Sequence, residues 1–211
     1  MVSRVIYRPF DEDDFNAIAA IVRDAWHTDA PTPYYAFLEA CADLAHSLSI
    51  STFSQVALTD GEPRGIVLAR GTNLSVPVSS RWQRAEEDYL EQMLINEPGA
   101  ANDYLQMTEL TKGIRTTMLH DGGLSEANEI TMLIVGEEAR GLGIGTVLLD
   151  AAASYLASRG AGRAFLYTDT DCDWQFYENH DFVRAASHHV HREQRRLLPR
   201  DLYVYTLDLT E

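Results

Sequence analysis

The alternation of hydrophobic and polar positions along this chain predicts strands and helices that follow one another closely. A short strand over residues 4–8 ends at Pro9, which has no N–H to donate to a strand ladder. Asp11 is a candidate helix cap, and apolar residues repeat at helical spacing from Phe15 to Trp26. A second helix follows over roughly 33–48, and two strands at about 55–59 and 65–70 are joined by a tight turn.

Residues 72–128 interrupt this alternation and predict a helical insertion. Apolar side chains recur at Trp82, Ala85, Tyr89 and Met93, and the next residues that stop a helix are Pro98 and Gly99. A second helical run extends over about 104–112 and is expected to end before Gly113. The insertion is therefore predicted to contain two helices.

The second half of the chain returns to a strand, helix and strand unit. Its segments are a buried strand over 130–135, an apolar helix over 143–159 that ends at Gly160 and Gly162, and a strand over 164–168. A short helix over 173–180 and strands at about 183–189 and 202–209 complete the chain. The 211 residues suit a single domain over 1–211.

A glycine-rich turn opens the apolar helix of this unit and is the most informative segment for function. Arg140, Gly141, Gly143 and Gly145 lie between the strand and the helix. Glycines leave backbone N–H groups open to a phosphate, and the helix N-terminus adds partial positive charge. A pyrophosphate is the expected ligand, although the same glycines also fit close packing of the strand on the helix.

Two better-known phosphate-binding turns do not match this segment. A P-loop needs Lys followed by Ser or Thr after its last glycine, and Thr146 and Val147 stand there instead. A dinucleotide fingerprint needs a third glycine where Leu148 stands, although Asp169 could serve as its acidic residue.

The segment resembles the Q/R-x-x-G-x-G/A signature of the GNAT superfamily, through Arg140, Gly143 and Gly145. Residues 176–182, Phe-Tyr-Glu-Asn-His-Asp-Phe, are similar to the family's F/L-Y-E-x-x-G-F segment, and Glu129 lies 11 residues before Arg140, where several members place a general base. The resemblance implies a three-layer α-β-α fold with a mixed central sheet, here with the helical insertion.

Two positions depart from the family pattern. Asp181 replaces the glycine of the second segment, but Asp tolerates the left-handed conformation, so the turn is expected to survive. Thr170 stands where an Asn is common, which leaves one cofactor contact open.

The resemblance also implies that a primary amine attacks the thioester of acetyl-CoA directly. The amine would belong to a small molecule or a peptide. Tyr177 is expected to protonate the leaving thiolate, and its alternative role is that of a core aromatic. Glu129 is expected to deprotonate the amine, and its alternative role is that of a solvated carboxylate. Glu109 and Glu126 are other acids that could act as base. The backbone N–H of Leu133 is the expected donor to the thioester oxygen. The residues expected to bind the cofactor are Leu133, Ile134, Val135, Arg140, Gly141, Leu142, Gly143, Ile144, Gly145 and Thr146.

The charge balance limits the partners. Seventeen Lys and Arg against 32 Asp and Glu give a net charge of -15, which disfavours nucleic acid and anionic membranes. The sequence has only two cysteines and no signal-peptide pattern, and no apolar run approaches the roughly 18 residues of a membrane span. These features predict a cytoplasmic protein. A homodimer is left open.

Other constellations favour ordinary structural roles. Residues 169–180 lack the glycine and the final glutamate of a calcium loop, and His189 and His191 fit a surface strand better than a metal site, so no metal is expected. Cys172 has no evident activating His and is expected to be a small apolar filler.

The sequence leaves open the identity of the acceptor and whether the protein is catalytically active. Residues 72–129 carry ten acidic residues against four Lys and Arg, which would suit a cationic amine if the insertion walls the acceptor pocket. A catalytically silent module that binds acyl-CoA is the alternative function on the same scaffold.

Overall fold

The structure is a computed structural model that describes residues 4–71, 80–124 and 127–210. Its strands are β1 (Val5–Arg8), β2 (Phe53–Thr59), β3 (Glu62–Arg70), β4 (Glu129–Val135), β5 (Arg163–Asp169), β6 (Val183–His189) and β7 (Asp201–Asp208). Among the described residues they form a seven-stranded sheet in the order β1-β2-β3-β4-β5-β7-β6. The β4–β5 pair is parallel and the other neighbouring pairs are antiparallel, which confirms the predicted mixed sheet.

Helices cover both faces of this sheet, as a three-layer fold requires. They are α1 (Phe15–Trp26), α2 (Pro33–Ile50), α3 (Ser80–Asn96), α4 (Pro98–Asp121), α5 (Ile144–Ser158) and α6 (Trp174–Glu178). Apolar residues of α5 and α6 pack on one face, whereas α1 and α2 cover β2, β3 and β4 on the other face. The C-terminal half of α4 covers β5 and β7 on that second face, through Met118 and Leu119 against Phe165 and Val204. The predicted three layers are therefore confirmed.

Two local predictions in the first half of the chain, a helix cap and a tight turn, are confirmed, although β3 begins three residues before its predicted start. Asp11 accepts from a backbone N–H in a capping box with Asp14, at a short 3-10 turn (Glu12–Asp14) that leads into α1. Asp60 and Gly61 both have positive φ, 55° and 86°, as a two-residue hairpin turn between β2 and β3 requires.

The insertion differs most from its predicted boundaries. Pro98 begins α4 rather than only ending α3, because a missing N–H costs nothing in the first turn of a helix. The helix continues through Gly113 to Asp121, since an exposed glycine costs only about 1 kcal/mol and buried Met118 and Leu119 follow it. Residues 72–79, 125 and 126 of the predicted insertion lie outside the described residues.

A buried histidine between two carboxylates fixes the end of α1 to α2. His27 Nδ1 lies 3.1 Å from Glu39 Oε2, and Nε2 lies 3.0 Å from Asp43 Oδ2. Burial alone would lower the pKa of His27, but the hydrogen bonds to Asp43 and Glu39 outweigh it and raise that pKa to about 9. Tyr104 of α4 donates to the other oxygen of Asp43, so the cluster joins three helices.

We expect the contribution of this cluster to the free energy of unfolding to decrease as the pH rises. The folded protein holds an extra proton between the ordinary histidine pKa of 6.5 and about 9, so the stabilisation is complete below that window and is lost as the pH rises through it. The free energy of unfolding of the parent should exceed that of His27→Gln by a margin that shrinks by about 3 kcal/mol across the window.

Urea denaturation at a series of pH values measures this margin. His120→Gln is the matched control, because His120 is 88% exposed at the end of α4, and its margin should not change. A margin for His27→Gln that stays constant with pH would contradict the expectation.

Candidate active site

The glycine-rich turn between β4 and α5 places two glycines in conformations that other residues rarely adopt. Gly141 and Gly143 have φ of 77° and 74°, in the left-handed region. No atom lies within 4 Å of the position that a Cβ would occupy at either glycine, so the turn faces open space. Gly143 is the N-cap of α5, and no described side chain caps it.

This geometry suits an anionic group. The first amides of a helix lack intrahelical partners, and the helix N-terminus carries partial positive charge. Arg140, Gly141 and Leu142 are exposed beside those amides. The residues present therefore fit a pyrophosphate, which could approach the backbone at Gly143 without meeting a side chain.

Gly145 has a different role, because here the backbone approaches an aromatic ring. A Cβ at this position would lie 3.3 Å from Cζ of Phe176 in α6. Thr146 and His180 add a second connection, with 2.9 Å between Thr146 Oγ1 and His180 Nε2. Of the two roles that the sequence left open, close packing thus applies to Gly145, whereas Gly141 and Gly143 face open space.

The sheet parts next to this turn. Of the residues in β4 and β5, all of which the structure describes, only Glu129 and Phe165 pair with each other. Leu68 faces Met132 whereas Ala69 faces Ile130, so Thr131 is an extra residue in β4. Such a bulge bends its strand, and β4 turns away from β5 just after Glu129.

The predicted residues Leu133, Ile134 and Val135 lie along this gap. Leu133 and Val135 are half-buried and pack toward α5, while Ile134 is buried on the opposite face, against the cluster of α1 and α2. The gap and the turn are therefore continuous through consecutive residues of the chain.

Tyr177 lies on α6, close to the start of α5. Its ring centroid is 5.8 Å from that of Phe182 and 6.3 Å from that of Tyr205. Burial raises the pKa of Tyr177 well above its ordinary range, and the neighbouring Cys172 and Asp173 raise it further. The phenol consequently keeps its proton, as a proton donor must, and its packing is also that of a core aromatic.

Polar contacts hold α6 in place from its outer side. Oε1 of Glu178 accepts from Tyr205 Oη at 2.6 Å and from Arg184 at 3.0 Å. The Arg184 guanidinium lies 4.0 Å from the ring centroid of Tyr203, a cation–π contact. Asp181, just after α6, has φ of 63°, which confirms that Asp takes the left-handed position of the family's glycine.

Glu129, the first residue of β4, is buried beneath two arginines. Its side chain is 3% exposed, Oε2 accepts from Arg70 at 2.8 Å, and Oε1 accepts from Arg115. Each carboxylate oxygen therefore accepts from one guanidinium group, which leaves further lone pairs on both oxygens. The other predicted acids are not placed with it: Glu109 is exposed on α4, and Glu126 lies outside the described residues.

Comparison with known families identifies the chain. The family model described as "Acetyltransferase (GNAT) family" matches residues 15–182, which is most of the chain. The chain belongs to the GNAT acetyltransferase family. Members of this family use acetyl-CoA and acetylate amines, including those of peptides. No curated protein matches the chain in sequence.

Solved structures show the same GNAT fold at low sequence identity. A GCN5-related N-acetyltransferase from Rhodopseudomonas palustris superposes with a TM-score of 0.56 at 16% identity, covering 99% of this chain and 98% of that one. An N-acetyltransferase from Staphylococcus aureus Mu50 gives 0.54 at 18% identity, with 99% and 100% covered. The ribosomal-protein-S18-alanine N-acetyltransferase from Escherichia coli gives 0.54 at 11% identity, with 99% and 96% covered.

The two arginines that pair with Glu129 were not predicted from the sequence. Arg70 ends β3 and Arg115 lies on α4, so neither adjoins Glu129 in sequence. The available signal was the helical periodicity of α4, because Arg115 precedes the buried Met118 and Leu119 by three and four residues and so shares their inward face.

Other candidates of the sequence have structural surroundings. Burial and the neighbouring Asp169 raise the pKa of the Cys172 thiol to about 12, which opposes a nucleophilic thiolate. Thr170 connects to β7, where its N–H donates to the Asp201 carbonyl at 3.1 Å. Among the described residues, no three His, Cys, Asp or Glu are grouped as a metal site would need. Over the same residues, no helix has the length and apolar character to span a membrane.

Proposed function

We propose that this GNAT protein transfers the acetyl group of acetyl-CoA to a primary amine by direct attack. The observation that carries the proposal is the parting of β4 from β5 after one pair, next to an N-terminus of α5 that no described side chain caps. We further propose that the protein works in the cytoplasm, and a homodimer stays compatible with this function.

The cofactor would lie along the gap with its pyrophosphate at the start of α5. Support comes from the open space at Gly141 and Gly143 and from the exposed Arg140. Leu142, Ile144, Gly145 and Thr146 complete the turn, and Leu133, Ile134 and Val135 border the gap. The N–H of Leu133 is the proposed donor to the thioester oxygen.

The proposed chemistry conserves every proton. The amine nitrogen attacks the carbonyl carbon of the thioester, so that a C–N bond forms and the C–S bond breaks. The proton lost by nitrogen goes to Glu129, and the departing sulfur takes a proton from Tyr177. The raised pKa keeps the Tyr177 phenol protonated before the reaction, but it also makes the phenol a weaker acid toward the departing sulfur.

A catalytically silent module that binds acyl-CoA is the second candidate function. The ion pairs of Glu129 favour it, because both carboxylate oxygens already hold Arg70 and Arg115 in place. Retention of Tyr177 favours the enzyme. A screen of amine acceptors, in which thiol release from acetyl-CoA is measured, distinguishes the two functions.

We expect Gly143→Asp to weaken binding of CoA by about tenfold or more. Asp tolerates a φ of 74° and meets no neighbouring atom, so the fold should survive while a carboxylate stands where the phosphates approach. Calorimetric titration with CoA measures the loss. Gly143→Asn has the same shape without the charge and should bind nearly as the parent does; equal binding by all three proteins would exclude this turn as the site.

We expect Tyr177→Phe to lower kcat by roughly a hundredfold, because only the proton-donating hydroxyl is lost. The KM for acetyl-CoA should change little, as measured by steady-state thiol release. Tyr34→Phe, which removes an exposed hydroxyl bonded to Gln92, is the control and should match the parent. Parental turnover in Tyr177→Phe would leave Tyr177 with a packing role only.

We expect Glu129→Gln to lower turnover most near neutral pH and to recover toward high pH, where free amine is abundant. The pH dependence of kcat/KM for the acceptor measures this recovery. Glu109→Gln, an exposed change on α4, is the control. Because Glu129 is buried, the melting temperature of each variant is compared first, and an equal loss at every pH would assign Glu129 to positioning instead.

A further inference from the structure

The helix that carries Tyr177 is too short to fix its own position. α6 has five residues, whereas an isolated helix needs roughly 12–15 residues to be even marginally stable in water. No described side chain caps it at Asp173, its N-cap residue. The position of the Tyr177 hydroxyl relative to the gap therefore depends on the contacts that α6 makes with the rest of the protein.

His180 ends α6 with two hydrogen bonds to its last carbonyls. The backbone N–H of His180 donates to the carbonyl of Tyr177 at 2.9 Å, and its Nδ1 lies 2.7 Å from the carbonyl oxygen of Phe176. The imidazole also packs on the ring of Phe176, with 4.3 Å between the two centroids. These bonds satisfy carbonyl groups that a helix end leaves without partners, and they tie the imidazole to the backbone of Tyr177.

The other edge of the same imidazole contacts the glycine-rich turn. A carbonyl oxygen only accepts, so Nδ1 of His180 carries a proton, and Nε2 of the neutral ring then accepts from the Thr146 hydroxyl at 2.9 Å. Thr146 is the third residue of α5, in the turn whose amides lack intrahelical partners. One side chain thus connects the backbone at Tyr177 with the first turn of α5.

A tight packing contact joins the same two elements. The ring of Phe176 contacts the imidazole of His180, and its Cζ lies 3.3 Å from the position that a Cβ would take at Gly145. Close-packed groups transmit a displacement because there is little free space to absorb it. A change in the first turn of α5 would consequently reach α6.

We propose that His180 is a positioning residue that transmits pyrophosphate binding at the first turn of α5 to Tyr177. The inference rests on the proposed acetyl transfer and its cofactor site. A pyrophosphate that accepts from the first amides of α5 would restrain this turn, and the bond from Thr146 to His180 would extend the restraint to α6. The far end of the cofactor would then raise kcat as well as affinity, because it helps to orient the proton donor.

Donors with and without a pyrophosphate test this connection in the parent protein. Acetyl-pantetheine carries the same thioester without any phosphate, whereas acetyl-dephospho-CoA keeps the pyrophosphate. At saturating donor, kcat with acetyl-CoA and with acetyl-dephospho-CoA should be similar. Both should exceed kcat with acetyl-pantetheine by about tenfold, the factor that one hydrogen bond can supply.

The variant His180→Phe should remove this difference between donors. Phe keeps a ring against Phe176 but cannot bond to Thr146, so kcat with acetyl-CoA should fall about tenfold while kcat with acetyl-pantetheine changes little. His180→Gln places an amide near the position of Nε2 and should restore part of the difference. His120→Phe, at a histidine that is 88% exposed on α4, is the control. An equal loss with both donors in His180→Phe would indicate a structural role only and would overturn the inference.

A double-mutant cycle tests whether the bond to Thr146 is the connection. Thr146→Val removes the same hydrogen bond from its other side, so His180→Phe combined with Thr146→Val should have the kcat of His180→Phe alone. Losses in kcat that multiply in the double variant would overturn this route.

Binding of ADP provides a measurement that needs no acetyl transfer. ADP contains the pyrophosphate but lacks the pantetheine arm that would reach Tyr177. In an NMR titration that follows the Gly143 amide to saturation, the ring signals of Tyr177, assigned with Tyr177→Phe, should shift in the parent and stay unchanged in His180→Phe. Ring signals of the parent that do not move would overturn the inference.

The outcomes separate this inference from the function on which it rests. Transfer from acetyl-CoA and acetyl-pantetheine with equal kcat in the parent would overturn the inference and leave acetyl transfer intact. Absence of transfer from every donor would overturn acetyl transfer, and the ADP titration would then decide whether the turn and Tyr177 are connected.

Discussion

The parting of two parallel strands after one residue pair is the constraint around which the rest of the molecule is arranged. Backbone N–H and C=O groups that lose their strand neighbour need another partner, so a gap inside a sheet persists only if water or a ligand can satisfy them. The extra residue at Thr131 bends β4 away at the right point, and β3 continues to hold β4 from the other side. Both the glycine-rich turn and α6 lie next to the opening that results.

Features of the fold that depend on residues close together in the chain could be predicted from the sequence. The turn from β4 into α5 is specified by glycines at Gly141 and Gly143 that adopt positive φ, and the helix after it by an apolar stripe. The left-handed Asp181 was also predictable, because its conformation depends on its own short side chain. Periodicity located the strands within three residues for the same reason.

The contacts of Glu129 could not be predicted, because they depend on the path of the chain through space. Arg70 and Arg115 are 59 and 14 residues away from it, and charged residues in a helix are usually solvated. Only the position of α4 on the sheet brings Arg115 inward. Gly113 shows the same limitation, since tertiary packing of the following turn overrides the local tendency of glycine to end a helix.

The gap also divides the sheet into two mechanical units, β1–β4 and β5–β7, which are joined at Glu129 and Phe165. Hydrogen-bonded segments with few shared bonds tend to open as separate cooperative units, each with its own free energy of opening. A molecule that lies in the gap and bonds to both strands would act as a missing strand. Its binding energy would then be added to the cohesion between the halves, so that occupancy and rigidity of this protein would rise together.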